Sequence, residues 1–290
     1  MGDTVTWLRL TMRQQTLTLE QIVWAFAASV VFFLCVFFTA YAYDDEMKEV
    51  VDKRTGEKKV VPKKKIMTWA ISVAQSSIMT VLGFMYLLLR YTDPLYEGTG
   101  TYIPSLPPIG SAAVHAYPAG PLYSADDFGC LICVIFGVAN ILDLGLGLIY
   151  YPEALSFLTT YFHHGVMIWL MLCCTTTIGG SPSLPSPFVP SFALALPEEL
   201  PTMLMGLGSI NPKWRTDLWF GVTFFLLRVC YHMYLCFYVI ANRAYNEVIG
   251  VLLLTMTLHL FWFKSWMAGP GWPYVAFLFP GSSKNSKKKT

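Results

Sequence analysis

The chain has 290 residues, of which 55% are hydrophobic and 13% charged, with a formal net charge of +2. Soluble domains carry about 25% charged residues. Half that charge, with the apolar residues in long blocks, excludes an ordinary water-soluble domain and fits an all-α, polytopic membrane protein.

Residues 1–20 are polar and mixed, and the apolar run after them is too long for a signal-peptide core. A membrane span needs about 20 predominantly apolar residues. The sequence predicts seven, near 21–43, 66–90, 127–150, 154–178, 188–208, 216–241 and 247–272. The fifth holds Pro190, Pro197, Glu198, Glu199 and Pro201, so a straight helix is not expected there. A broken helix at membrane depth needs protein or a water-filled cavity around its freed backbone. The chain therefore divides into 1–65 (first span and a basic loop), 66–272 (helical bundle) and 273–290 (basic tail).

Lys and Arg set the orientation. The first loop carries Lys48, Lys53, Arg54, Lys58, Lys59, Lys63, Lys64 and Lys65, and it is expected in the cytosol, long enough to touch anionic headgroups but not to fold alone. Seven spans then place Lys213, Arg215 and the tail lysines on the same side and the N-terminus in the lumen. The 91–126 loop, with Pro94, Pro104, Pro107, Pro108, Pro118 and Pro121, has no helical period. Lys287 and Lys288 match a dilysine signal for retrieval to the endoplasmic reticulum, read by coat proteins.

Ionisable residues at membrane depth cost several kcal/mol unless they pair or face a cavity, so they are functional candidates by default. In the third span Gly137, Asn140, Asp143 and Gly147 share one helical face. The glycines read as helix packing, whereas a lone carboxylate must be neutral or paired. In the fourth span Thr159 and Thr160 precede His163 and His164 by one turn, and His163 lies about 14 Å from the cytosolic end of its helix. Adjacent helical residues point about 100° apart, so one histidine can face a cavity while the other contacts a neighbouring helix. The sixth span offers Arg228 and His232 on one face, with Arg228 expected to pair with Asp143 or a glutamate; the seventh offers His259.

The seven cysteines lie in apolar stretches and read as buried small hydrophobes. Cys130 and Cys133 have CxxC spacing without a second ligand pair. His163, His164, His232 and His259 are metal-ligand types, but neighbouring histidines on a straight helix rarely hold one ion, so no metal site is expected.

Several stretches resemble the TLC-domain family, which includes ceramide synthases, translocation-associated proteins and a group of small lipid regulators. They are Asn140 to Asp143, Tyr150-Tyr151-Pro152 and Phe162-His163-His164; Glu198 to Thr202 followed by Asn211 to Trp214; Phe224 to Val229; and Leu258 to Lys264. The resemblance covers roughly 66–270, is nearest the lipid-regulator group, and implies a six-helix core preceded by one N-terminal span. This chain departs from the family in having His at 259 where Asn is usual. It also lacks the second ceramide-synthase motif and the aspartate pair beyond it. The resemblance implies a membrane protein that binds a lipid or acyl chain, with no cofactor and no nucleic-acid partner. An alternative is an acyltransferase using acyl-CoA as co-substrate, with His163 or His164 as general base oriented by Glu199 or Asp143. A third reading is a non-catalytic subunit of a larger assembly. In each case Asn140, Arg228, His232 and His259 form the buried polar network.

Overall fold

A computed structural model describes residues 18–44, 46–51, 58–62, 65–91, 127–175, 188–214, 216–241 and 246–275. The 91–126 loop beyond Tyr91, Lys287 and Lys288 lie outside these residues.

The chain is mostly helical. Helix α1 (Leu19–Tyr43) starts on a capping box: the Thr18 hydroxyl accepts from the Gln21 amide at 3.2 Å, and the Thr18 amide donates to Gln21 Oε1 at 2.8 Å. A hairpin follows, β1 (Met47–Val51) against β2 (Lys58–Pro62), antiparallel with Met47 opposite Pro62 and Val51 opposite Lys58. The basic loop thus carries regular structure that the sequence analysis did not anticipate. The signal was there: two short runs rich in Val flank a segment containing Thr55-Gly56. Lys58 Nζ bonds Glu49 Oε2 across the strands at 3.1 Å, an exposed pair of small energetic weight.

Helices α2 (Ile66–Tyr91) and α3 (Asp127–Tyr150) follow. Fully buried Asp44 lies past the end of α1, and its Oδ2 accepts from the Met67 amide at 3.2 Å. It caps, from a distance, the start of α2, where amides have no intrahelical acceptor. Asp44→Ala is expected to cost about 1 kcal/mol, read as a lower unfolding midpoint in detergent; an unchanged midpoint would remove this role.

Beyond α3 the helices are segmented. A 3-10 turn (Pro152–Ala154) leads into a π-helical stretch (Phe157–Phe162) and α4 (His163–Thr175). Then come α5 (Phe188–Ala195), a 3-10 turn (Leu196–Glu199) and α6 (Leu200–Ile210). After a short turn (Pro212–Trp214), α7 (Asp217–Thr223) runs through a second π-helical stretch (Phe224–Tyr231) into α8 (His232–Ala241). Helices α9 (Asn246–Ala268) and α10 (Trp272–Val275) close the described chain.

Among the described residues, five helical runs are long and apolar enough to cross a membrane: Leu19–Tyr43, Ile66–Leu88, Phe128–Tyr150, Asp217–Ala241 and Val248–Ala268. They coincide with the first, second, third, sixth and seventh predicted spans. The fourth and fifth fall on the segmented stretches. The fifth breaks at Leu196–Glu199, where Pro197 has no amide hydrogen to continue an α-helix.

Helix α1 packs on α2 and α3 through Phe33, Phe37, Met67, Ile71, Val138 and Tyr151. A second cluster, with Met79, Tyr86, Ile132, Phe136, Val189 and Leu196, joins α2, α3, α4, α5 and α8. Close approach sets the geometry more than apolar burial, because lipid tails are as apolar as leucine. A Cβ on Gly137 would stand 3.0 Å from Met171 Cβ, so this glycine lets α3 and α4 touch.

Candidate functional site

Two polar clusters sit between the helices. The first is built on α3. Asp143, 7% exposed, receives a hydrogen bond from the Ser72 hydroxyl of α2 at 3.2 Å and one from the Tyr151 hydroxyl at 3.4 Å. Its Oδ2 lies 3.7 Å from Nε2 of His164. Nδ1 of His164 is buried and has no hydrogen-bond partner among the described residues. The His163 ring is 5.7 Å from that of His164, centroid to centroid. Because the π-helical stretch ends at Phe162, the histidine pair opens α4 directly after a wide turn. Asn140 shares the face of Asp143 but donates to the Phe136 carbonyl of its own helix at 2.8 Å, so its side-chain bond stays within α3.

The second cluster gathers on the broken fifth stretch. Glu198 is 5% exposed, His232 1% and His259 4%. His232 Nδ1 lies 2.8 Å from Glu198 Oε1 and 2.9 Å from Oε2, and His232 Nε2 lies 2.9 Å from the Leu252 carbonyl of α9. His259 Nδ1 is 2.9 Å from the Arg228 carbonyl and 3.7 Å from Glu198 Oε2. The Arg228 guanidinium donates through Nε to the Glu198 carbonyl at 2.8 Å and through Nη2 to the Thr202 hydroxyl at 2.6 Å, and Nη2 stands 3.7 Å from Glu199 Oε1. Every side chain here bridges different helical segments, so the cluster fixes how the 3-10 turn seats on the second π-helical stretch, α8 and α9.

The structure sorts the sequence candidates by partner. Asp143 orients towards His164. Glu199 is taken by Arg228, which meets a glutamate rather than Asp143. Arg228, His232 and His259 come together around Glu198, the deeper of the two glutamates. Ser72 and the Leu252 carbonyl were not singled out in the sequence, and Tyr151 and Thr202 were quoted only as parts of longer stretches, without a role. Tyr151 follows the stretch that carries Asp143 and Thr202 closes the one that carries Glu198, but Ser72 is a single hydroxyl on an apolar helix and carries no local pattern.

Fold and site together define a mostly helical protein with several apolar helices, as in a membrane protein, and ionisable side chains buried between them. No family model matches the chain, and neither a curated protein nor a solved structure matches it.

Proposed function

We propose that the chain is an integral membrane protein of lipid metabolism or homeostasis, with a TLC-type bundle that binds a lipid or acyl chain and presents its polar end to His163 and His164. The observation that carries this reading is the buried Nδ1 of His164, which has no partner among the described residues although Asp143 stands on the other side of the ring. Buried polar atoms are normally satisfied, and one that is not calls for a ligand, an ion or a water. The family resemblance at Asn140 to Asp143 and Phe162 to His164 points to lipid as that ligand.

The Asp143–His164 contact favours a second reading, acyl transfer. A carboxylate that orients an imidazole is the arrangement of a general base. His164 would take the proton of a lipid amine or hydroxyl as it attacks the carbonyl of an acyl thioester. The C–S bond breaks, and the proton passes to the leaving thiolate.

The test is whole-cell lipidomics after deletion, with rescue by wild type or by His163→Ala/His164→Ala at matched expression. Loss of one lipid class with a rise of its precursors, restored by wild type alone, is the result expected for acyl transfer. A broad lipid shift that the double variant also corrects leaves binding without catalysis. No lipid change sinks both and favours a structural subunit.

The proposed site of action is the endoplasmic reticulum membrane, with N-terminus luminal and C-terminus cytosolic. Lys287→Ser/Lys288→Ser is expected to move a tagged full chain to later secretory compartments by microscopy; unchanged reticular staining counts against the retrieval signal.

A further inference from the structure

We propose that Glu198, His232 and His259 form a buried transition-metal site of the zinc class, which ties the broken fifth stretch to the sixth and seventh spans. The inference is independent of the role given to His163 and His164.

One donor atom from each of the three residues lies within 4.8 Å of the others, and all three residues are buried. They come from three separate segments: the Leu196–Glu199 turn, the start of α8 and the middle of α9. Two imidazoles and one carboxylate are a donor set that zinc and its neighbours accept, with a further position left for another ligand.

Hydrogen bonding around the rings points the same way. His232 Nε2 meets the Leu252 carbonyl, which can only accept, so Nε2 carries the hydrogen. The lone pair of Nδ1 is then aimed at both Glu198 oxygens, at 2.8 and 2.9 Å. Two acceptors facing each other in a dry interior need a cation between them, which is either a proton on Nδ1 or a metal ion. An imidazole anchored through its far nitrogen to a backbone carbonyl is the usual support of a metal-ligating histidine. His259 is held through Nδ1 to the Arg228 carbonyl, which can only accept, so Nε2 is the nitrogen left to act as a donor to a metal. The Arg228 guanidinium bonds elsewhere, meeting the Glu198 backbone oxygen, Thr202 and the Glu199 carboxylate. The Glu198 carboxylate is left to be balanced within the cluster, where an uncompensated buried charge is strongly destabilising.

The test uses the full chain, with any affinity tag removed, purified in lipid nanodiscs without chelators. Metal content by plasma mass spectrometry is expected at about one zinc per chain. It should fall at least about tenfold in Glu198→Gln and in His232→Ala. Should those variants fail to fold, the wild type decides alone. Its zinc X-ray absorption spectrum should show outer-shell scattering from two imidazoles, and cobalt loading should give visible ligand-field bands. Folded wild type without stoichiometric metal overturns the proposal and leaves a proton between His232 and Glu198. Zinc retained in both folded variants, or a spectrum without imidazole scattering, overturns it by placing the metal elsewhere.

Discussion

Glu198→Ala is expected to destabilise the protein by about 3–5 kcal/mol, the range for removing one partner of a buried charge pair. The substitution leaves Nδ1 of His232 facing an apolar gap where two carboxylate oxygens stood at 2.8 and 2.9 Å. Water does not readily replace them, because Glu198, His232 and His259 are all less than one-tenth exposed. Thermal unfolding in detergent, followed by tryptophan fluorescence, measures the loss. A double-mutant cycle with His232→Ala should show strong coupling, the two changes together costing clearly less than the sum of each alone. Additive losses would mean that the 2.8 Å contact contributes nothing specific. Glu199→Ala makes the contrast. Its carboxylate is farther from its partner, at 3.7 Å, and less buried, so its removal should cost less.

Gly83→Ala is expected to cost about 1–3 kcal/mol through overpacking. A Cβ at this position of α2 would stand 2.6 Å from Leu196 Cβ, 2.7 Å from Pro197 Cδ and 2.8 Å from Pro197 N. None of these is the tip of a flexible side chain, so relief requires the Leu196–Glu199 turn to move as a body. That turn holds Glu198, and its retreat would draw the carboxylate away from His232. The cost of Gly83→Ala should therefore shrink in a Glu198→Ala background. Gly145→Ala is the control: no other group among the described residues lies within 4 Å of its Cβ position beyond its own helix backbone and chain neighbours, and no loss is expected, only a gain of up to about 1 kcal/mol in helix propensity. Equal midpoints for the two glycine variants would show that α2 and the turn do not approach this closely.

Much of the architecture was legible because apolar run length is written directly in the chain. Five predicted spans match described helices to within a few residues. The break in the fifth was legible from Pro197, since a missing amide hydrogen acts locally. The hairpin was not, because the eight basic residues of 44–65 read more strongly as a topology signal than the paired valines Val50-Val51 and Val60-Val61 did as strands. The site was legible in residue type but not in pairing. Asp143, His163, His164, Arg228, His232 and His259 stand out because ionisable groups are rare in apolar helices. Which carboxylate meets which base depends on the rotation of each helix. Periodicity alone cannot supply that rotation across a 3-10 turn or a π-helical stretch. Hence Glu199 and Asp143 looked equally able to orient His163 or His164; the fold sets Asp143 beside His164, Glu199 beside Arg228, and gives Glu198 to His232.

The wide turns at Phe157–Phe162 and Phe224–Tyr231 also constrain how this chain can change over time. A π-helical turn carries more residues than an α-helical turn of the same span, bonding each amide five residues back instead of four. Each stretch therefore holds a residue to spare, and each lies immediately before a histidine of the site: His163 in one case, His232 in the other. Losing one residue from either would leave an unbroken, equally apolar helix. It would also turn everything beyond it by about 100° and carry that histidine off its face. Selection acting here would tolerate exchange of one apolar residue for another far more readily than a change in their number.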